Sequence, residues 1–287
     1  MPSQVCISFA QNYCCLAYAQ NSQQHVDVGV FYDDLKQKVQ AHGMTGAQTL
    51  AVLANGDYQL LIAKKPDVPE SKIKEALLWQ EQARFSLPLD QIILEYFECR
   101  EIKGEQKFYI VAVAKQQLQT KYQAMNAAGL KVTRITIPEL VYASYVQREL
   151  RSYACVIWIN IFPDQSRALL FANGGLVSTL RLPKIEQEAD EANQEAMSQA
   201  LKLFYHEQAL LFTGVESDAD SLQAPDHAPG NLVWAVNCFD AVLAKALSAL
   251  LPGQVTLLDL PAALAGDLSL SKEIAISHAV YGVVTEK

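Results

Sequence analysis

The 287-residue chain is acidic and poor in charge, with 23 lysines and arginines against 31 aspartates and glutamates and a formal net charge of −8. Hydrophobic residues make up 51% and charged residues 19%, whereas an average globular domain has about 25% charged residues. This composition argues against intrinsic disorder, because the apolar content can offset the ordering entropy, and against nucleic-acid binding, because no basic surplus neutralises phosphates. The length predicts roughly two domains.

The beginning of the chain and its apolar stretches argue against targeting and membrane segments. No basic residue precedes Lys36, which argues against a signal or transit peptide. The longest apolar stretches, 154–162 and 231–251, are too short or too often interrupted by polar residues, since a span needs about 20 apolar residues. We therefore expect a soluble, cytoplasmic protein.

The first predicted elements form an antiparallel meander. Strand-like runs at 5–10, 13–19 and 25–32 are short, rich in β-branched and aromatic residues, and separated by turns. Two further strands, 49–54 and 58–63, flank Asn55-Gly56, a dipeptide that favours a hairpin turn.

An α+β block follows. Pro69 suits the first turn of a helix, which we expect to run to about Ser86, where Pro88 stops it. Gly129 is expected to end a later helix as a C′ glycine. The strands and second helix of the block are predicted at 91–97, 107–114, 115–128 (helix) and 130–137, with a turn at 101–105. This order is typical of a small inserted subdomain, which we place at about 68–135.

The second half begins with a meander like the first, about 150 residues later. Its strands are predicted at 155–162, 166–172 and 176–182, which suggests a duplicated fold with halves at 1–150 and 151–287. Strands that alternate with helices there imply an α/β layered core. The remaining predicted elements are helices at 185–211 and 239–251, an acidic loop at 213–230, a strand at 255–258 and a closing element at 278–284.

The cysteines and histidines of the chain do not form the clusters that bind zinc. Its six cysteines include no Cys-x-x-Cys pair and its five histidines are scattered singly, whereas zinc needs clustered ligands. Cys6 and Cys155 lie inside strand-like runs and are expected to be small buried hydrophobic residues. His206-Glu207 lacks the second histidine of a zinc-protease motif, because position 210 is leucine. We therefore expect no metal site.

Several sequence segments resemble those of the PilM-like proteins of type IV pilus assembly, and the resemblance is best over residues 45–150, approximately. The segments are Tyr-Gln-Leu-Leu-Ile-Ala-Lys-Lys-Pro-Asp-Val-Pro at 58–69, Lys-Glu-Ala-Leu-Leu-Trp-Gln at 74–80, Ala-Ala-Gly-Leu at 127–130 and Ile-Pro-Glu-Leu at 137–140. The family is similar to the bacterial protein FtsA, so the resemblance implies an α/β, duplicated actin-like (ribonuclease H-like) fold with an inserted α+β subdomain. The cytoplasmic part of type II secretion L proteins is a related alternative.

The resemblance also implies two phosphate motifs of the form Ile-Asp-Ile-Gly, and both differ here. In such motifs the Asp holds the metal–water shell and the Gly lets backbone amides approach phosphate. The corresponding positions are Ser8 and Ala10 in the first half and Asn160 and Phe162 in the second. A Gly-Gly turn expected on the adenosine side is also absent from 233–238.

We therefore expect these degenerate positions to hold no ATP and no Mg²⁺, since Mg²⁺ prefers carboxylate oxygens. The chain is then an actin-like scaffold and not an enzyme. An ATPase of the same fold with unusual phosphate-loop residues is the alternative.

The resemblance implies a partner as well. PilM-like proteins lie on the inner face of the cytoplasmic membrane, where a short N-terminal peptide of a membrane-anchored PilN-like protein docks beside the inserted subdomain. In a pilus of the mannose-sensitive haemagglutinin (MSHA) type, the corresponding partner would be MshJ-like. We expect a peripheral location through such a partner, without membrane insertion, and leave open a homo-oligomer.

Trp79, Tyr96 and Phe97 in the inserted block are the candidate partner contacts, because aromatic residues are enriched at binding hot spots. The competing interpretation, which we favour, is that Trp79 and Phe97 pack the core of the block. A third interpretation is that an exposed strand edge accepts a peptide by β-addition.

Overall fold

The structure is a computed structural model that describes residues 4–9, 13–20, 23–99, 106–161, 166–183, 191–213, 232–238, 241–251 and 254–258. The described residues divide into two compact units, one up to Val141 and one from Tyr142 onward. The turn predicted at 101–105, nearly all of the acidic loop and the closing element predicted at 278–284 lie outside the described residues. No helix in the described part of the chain has the length and apolarity needed to cross a bilayer.

The first unit contains two sheets. Its strands are β1 (Gln4–Phe9), β2 (Tyr13–Gln20), β3 (Gln23–Phe31), β4 (Gln48–Val52), β5 (Tyr58–Lys64), β6 (Ile92–Cys99), β7 (Lys107–Ala114) and β8 (Lys131–Thr136). Its helices are α1 (Leu35–Ala41), α2 (Ile73–Gln80) and α3 (Lys115–Ala127), and α4 (Pro138–Glu149) leads into the second unit.

The large sheet of the first unit has the strand order β3-β2-β1-β4-β8. The predicted meander is confirmed, since β1, β2 and β3 pair antiparallel, whereas β4 and β8 join parallel to β1. Alternate residues of β1 point to one face, where they pack with residues of α1, α3 and the following turn. Representative members of this core are Val5, Ile7, Phe9, Leu35, Val39, Met44, Met125 and Leu130.

The small sheet has the order β5-β7-β6, and all its pairs are antiparallel. One face is covered by α2, which gives the sheet a core of its own. That core contains Ala63, Ile73, Leu77, Ile92, Leu94, Phe108, Ile110 and Ala112. The strand β8, which follows α3, pairs with β4 in the large sheet, so the strands of the small sheet lie between residues 58 and 114.

The hairpin predicted at Asn55-Gly56 is wrong, because β4 and β5 belong to different sheets. A turn does form there: the Asp57 amide donates to the Ala54 carbonyl at 2.9 Å, and the Ala54 amide donates to Asp57 Oδ2 at 2.8 Å. An Asn-Gly pair favours the change of direction, but it does not decide which strand each flanking segment pairs with.

The helix predicted from Pro69 to about Ser86 is shorter in the structure. Pro69 has an extended backbone, with ψ at 148°, and α2 runs only from Ile73 to Gln80. One short 3₁₀ turn precedes the helix and another follows it. Beyond α2 the Arg84 guanidinium donates a hydrogen bond to the Ile62 carbonyl at 2.9 Å. This segment is therefore bonded to β5 and does not continue the helix.

The predicted end of α3 at Gly129 is confirmed. Gly129 has φ at +87°, and the Leu130 amide donates to the Met125 carbonyl at 3.1 Å. This bond and the left-handed glycine form a Schellman motif, which satisfies carbonyls that the helix end leaves unpaired.

The second unit repeats the topology of the large sheet. Its strands are β9 (Cys155–Ile161), β10 (Arg167–Ala172), β11 (Gly175–Arg181), β12 (Leu232–Cys238) and β13 (Gln254–Leu257), and its helices after α4 are α5 (Glu191–Thr213) and α6 (Ala241–Leu250). The order is β11-β10-β9-β12-β13, with an antiparallel meander followed by two parallel strands. The same order of three antiparallel and two parallel strands in both units indicates a duplicated fold.

Gly129 provides a direct test of the α3 terminus. We expect Gly129→Ala to destabilise the protein by about 1–2 kcal/mol, because the left-handed conformation strains any residue with a Cβ and that Cβ would lie 3.2 Å from Thr45 Cγ2. Urea unfolding measures the change. Gly56→Ala is the matched control, because a Cβ there meets no atom within 4 Å, and equal destabilisation of both variants would contradict the assignment.

Candidate functional site

Ser8 lies near the carboxyl end of β1, the central strand of the large sheet. Ligands commonly bind at the carboxyl ends of the strands in open α/β sheets. Ser8 pairs with Cys15 on β2 and Val52 on β4, and it is only 3% exposed. Its hydroxyl has no hydrogen-bond partner among the described residues. The position offers a neutral oxygen and no carboxylate, and the other predicted position of this motif, Ala10, lies outside the described residues.

A buried ion pair occupies the same end of the sheet. Lys121 on α3 places its ammonium nitrogen 3.2 Å from Asp57 Oδ2, and each side chain is only 7% exposed. The ammonium also donates to the Tyr32 hydroxyl at 3.3 Å and lies 4.6 Å from the centre of the Phe9 ring. The Lys121 cation at this end of the sheet therefore already has a carboxylate counter-ion and two aromatic neighbours.

Burial shapes the chemistry of the groups around this pair. Removal from water raises the pKa of the Tyr32 hydroxyl well above its ordinary value, and nearby Cys14 and Asp57 raise it further. Tyr32 therefore stays protonated at physiological pH, when it can accept a hydrogen bond from Lys121 and still donate one. The sequence gives little sign of this cluster, because Asp57 and Lys121 are far apart in the chain.

Asn160, the corresponding position in the second unit, lies on β9 and is buried. Its Oδ1 accepts a hydrogen bond from the Trp158 indole nitrogen at 2.9 Å, and Trp158 stacks on Tyr142 with ring centres 4.8 Å apart. The Asn160 amide therefore takes part in a buried aromatic cluster. Phe162 lies outside the described residues, and the segment 233–238, where a Gly-Gly turn is expected, lies in the strand β12.

The described residues bring no three histidine, cysteine, aspartate or glutamate side chains close enough to hold a metal ion. Within the described part of the chain five cysteines are buried thiols, as predicted for Cys6 and Cys155. Burial raises the pKa of the Cys14 thiol to about 12 and raises those of Cys6 and Cys155 as well. These thiols stay protonated near neutral pH, which makes them poor nucleophiles.

Trp79 is on the surface of α2 and is 59% exposed. The interpretation that it packs the core is therefore wrong for Trp79. The reason is geometric: Ile73 and Leu77, four residues apart, form the buried stripe of the helix, and a residue two positions after Leu77 points away from that stripe.

Tyr96 and Phe97 are half-buried on β6 and point to opposite faces of the small sheet. Tyr96 packs edge-on against Phe108 at 4.9 Å, on the face covered by α2. Phe97 stacks on Tyr109 at 5.1 Å, on the opposite face. Phe97 thus packs in the cluster on the face opposite α2 and not in the core of the block that α2 covers, and the three aromatic residues do not share one surface.

The two edges of the small sheet differ. On β5, the carbonyls of Ile62 and Lys64 accept hydrogen bonds from the side chains of Arg84 and Gln80, at 2.9 and 3.3 Å. On β6, Glu95 and Glu98 are exposed. Two backbone carbonyls of the β5 edge are therefore already hydrogen-bonded to side chains, and the β6 edge carries exposed acidic side chains.

Comparison with known proteins gives matches in structure and not in sequence. No protein-family model matches the chain, and no curated protein matches it in sequence. The chain superposes on a structure of the PilM–PilN type IV pilus biogenesis complex with a TM-score of 0.63 and 13% identity, over 98% of both chains.

Two further solved structures are similar. One is the cytoplasmic domain of EpsL, an inner-membrane component of the type II secretion system of Vibrio cholerae, with a TM-score of 0.50, 12% identity and coverage of 97% and 94% of the two chains. The other is a Bacteroides thetaiotaomicron protein of unknown function with an actin-like ATPase fold, with a TM-score of 0.53, 10% identity and coverage of 89% and 90%. At these identities the likeness defines the fold, and the chain has the duplicated actin-like fold.

Proposed function

We propose that this chain is a non-catalytic actin-like scaffold for the assembly of a type IV pilus or a type II secretion system. The observation that carries the proposal is the structural match over 98% of both chains to the PilM–PilN complex structure, supported by the match to the EpsL cytoplasmic domain. In this role the chain binds the cytoplasmic tail of a PilN-like protein and is held by it at the inner membrane.

The segments at 58–69 and 137–140 that resemble PilM-like proteins support a more specific proposal about which pilus protein this chain is. The chain corresponds to MshI, of the MSHA pilus, and its partner to an MshJ-like inner-membrane protein. The chain's net charge of −8 suits such a protein tether, because anionic lipid attracts basic segments. The cytoplasmic flanks of membrane helices are rich in Lys and Arg, so an acidic scaffold is electrostatically complementary to the tail of its partner.

The absence of catalysis in this proposal is supported by the two positions where nucleotide chemistry needs an acid. Ser8 is neutral and buried, and Asn160 hydrogen-bonds Trp158 in a buried cluster. The nearby ammonium of Lys121 is already paired with Asp57. One observation favours the alternative of an ATPase with unusual phosphate-loop residues: the Ser8 hydroxyl has no partner among the described residues.

Trp79 is the residue that we propose for the partner contact. It is a large aromatic side chain that the fold leaves mostly exposed, and tryptophan is among the residues most enriched at hot spots. The edge of β6, with exposed Glu95 and Glu98, is where a basic peptide could add as a further strand.

Calorimetric titration with ATP and Mg²⁺ tests the non-catalytic part of the proposal. We expect no heat of binding up to millimolar nucleotide, because neither carboxylate of the two phosphate motifs is present to hold the metal–water shell. Binding in the low micromolar range would contradict the proposal and favour the ATPase alternative.

Binding of a synthetic peptide with the cytoplasmic N-terminal sequence of the PilN-like protein from the same organism tests the partner contact. We expect Trp79→Ala to weaken binding by at least about tenfold, as loss of a hot-spot residue does, with the free energy of unfolding changed by less than about 0.5 kcal/mol, as is usual for surface substitutions.

Leu203→Ala is the matched control for the same measurement, because Leu203 is a similarly exposed apolar residue on α5 of the second unit. We expect it to leave both affinity and stability unchanged. Undiminished affinity of the Trp79→Ala protein would refute the contact, and an unfolded variant would show that Trp79 supports the core after all.

A further inference from the structure

The small sheet of the first unit is an almost self-contained module. Together with α2 it has its own apolar core, separate from the core of the large sheet. The small sheet and the large sheet meet in a third apolar cluster, which we call the junction cluster. Its buried members are Leu53, Tyr58, Val111, Val113 and Ile137.

The chain crosses between the two sheets twice. It leaves the large sheet at the end of β4 and reaches β5 through the turn at residues 53–57, and it returns from β7 directly into α3 at Lys115. Each crossing is a place where the small sheet could pivot, because loops and element termini absorb changes in backbone angle.

The carboxylate of Asp57 ties the two crossings together. On the outgoing side, Asp57 Oδ2 accepts the Ala54 amide at 2.8 Å. On the returning side, Asp57 Oδ1 accepts a hydrogen bond from the Gln117 side chain, and Oδ2 lies 3.2 Å from the Lys121 ammonium. One side chain is thus bonded to the turn before β5 and to two successive turns of α3.

Lys121 extends the same connection to the large sheet. Its ammonium lies 4.6 Å from the ring centre of Phe9, the last residue of β1, and 3.3 Å from the hydroxyl of Tyr32, which follows β3. Both charges are buried, so removing either one leaves the other without a counter-ion in a medium that solvates it poorly.

We propose that the Asp57–Lys121 ion pair is a conformational latch that fixes the small sheet to the large sheet. With the pair intact, the small sheet opens only when the whole unit unfolds. Without it, the small sheet separates as one cooperative element that keeps its own core with α2. This inference does not depend on the proposed function.

Peptide-resolved amide hydrogen exchange tests the latch in the full chain. The variants are Asp57→Asn, Lys121→Met and the double variant that carries both substitutions. The double variant has no unpaired buried charge, and replacement of a buried ion pair by neutral groups of similar volume is often tolerated. It therefore separates the latch from the cost of a lone charge, even where a single variant fails to fold.

We expect amides of β5, β6 and β7 in the double variant to exchange at least about tenfold faster than in the wild type, through local opening. Amides of β1 and β2 should keep their wild-type rates. Unchanged exchange in the small sheet, or the same acceleration throughout the unit, would overturn the proposal.

The matched control removes an ion pair that does not join the two sheets. Lys74 on α2 pairs with Glu95 on β6, and both side chains are at least half exposed. Since this pair lies within the module of the small sheet, Lys74→Met with Glu95→Gln should leave the exchange rates of β5 and β7 unchanged. Acceleration equal to that of the Asp57 and Lys121 double variant would count against a specific latch.

Discussion

The central strand of the five-stranded sheet in each unit, β1 or β9, is buried along nearly its whole length. This burial limits which side chains the strand can carry. Residues 5–9 of β1 and all seven residues of β9 are buried. A strand between two neighbours and two covered faces tolerates a charge only with a partner, because a lone ion loses several kcal/mol of solvation on burial. Ser8 and Asn160 meet this constraint as neutral side chains.

The same constraint determines where the charges lie. Pairs such as Lys72–Glu75 and Lys74–Glu95 are on the surface, where an ion pair contributes little to stability. Three buried charged side chains lie where the two sheets of the first unit meet: Asp57 pairs with Lys121, and Glu139 accepts a hydrogen bond from the Tyr58 hydroxyl at 2.6 Å. Buried polar groups of this kind require a particular geometry, so they fix how the small sheet is attached.

The sequence predicts local elements well and their partners less well. Both meanders and the end of α3 at Gly129 follow from short-range signals, namely alternating apolar runs and a glycine that can adopt positive φ. The wrong hairpin at Asn55-Gly56 shows the limit: the turn forms, but β5 pairs with β7, some fifty residues further along the chain. Such pairing depends on tertiary packing, which a local pattern does not contain.

The residues of the candidate site also differ in whether the sequence reveals them. Neutral residues at positions 8 and 160 can be found from the sequence, because the resemblance to PilM-like proteins aligns them with a motif. The Asp57–Lys121 pair cannot, because its members come from a turn and a helix with no shared motif. The sequence also leaves open whether Trp79 is exposed or packs the core, because it does not show which face of so short a helix packs against a sheet.

Urea unfolding of Ser8→Asp and Asn160→Asp, with and without ATP and Mg²⁺, tests most directly whether these positions belong to the core or to a nucleotide site. If they belong to the core, each acid lowers the unfolding free energy by several kcal/mol, and ATP with Mg²⁺ restores none of it. Variants as stable as the wild type, or rescued by ATP and Mg²⁺, would contradict the account.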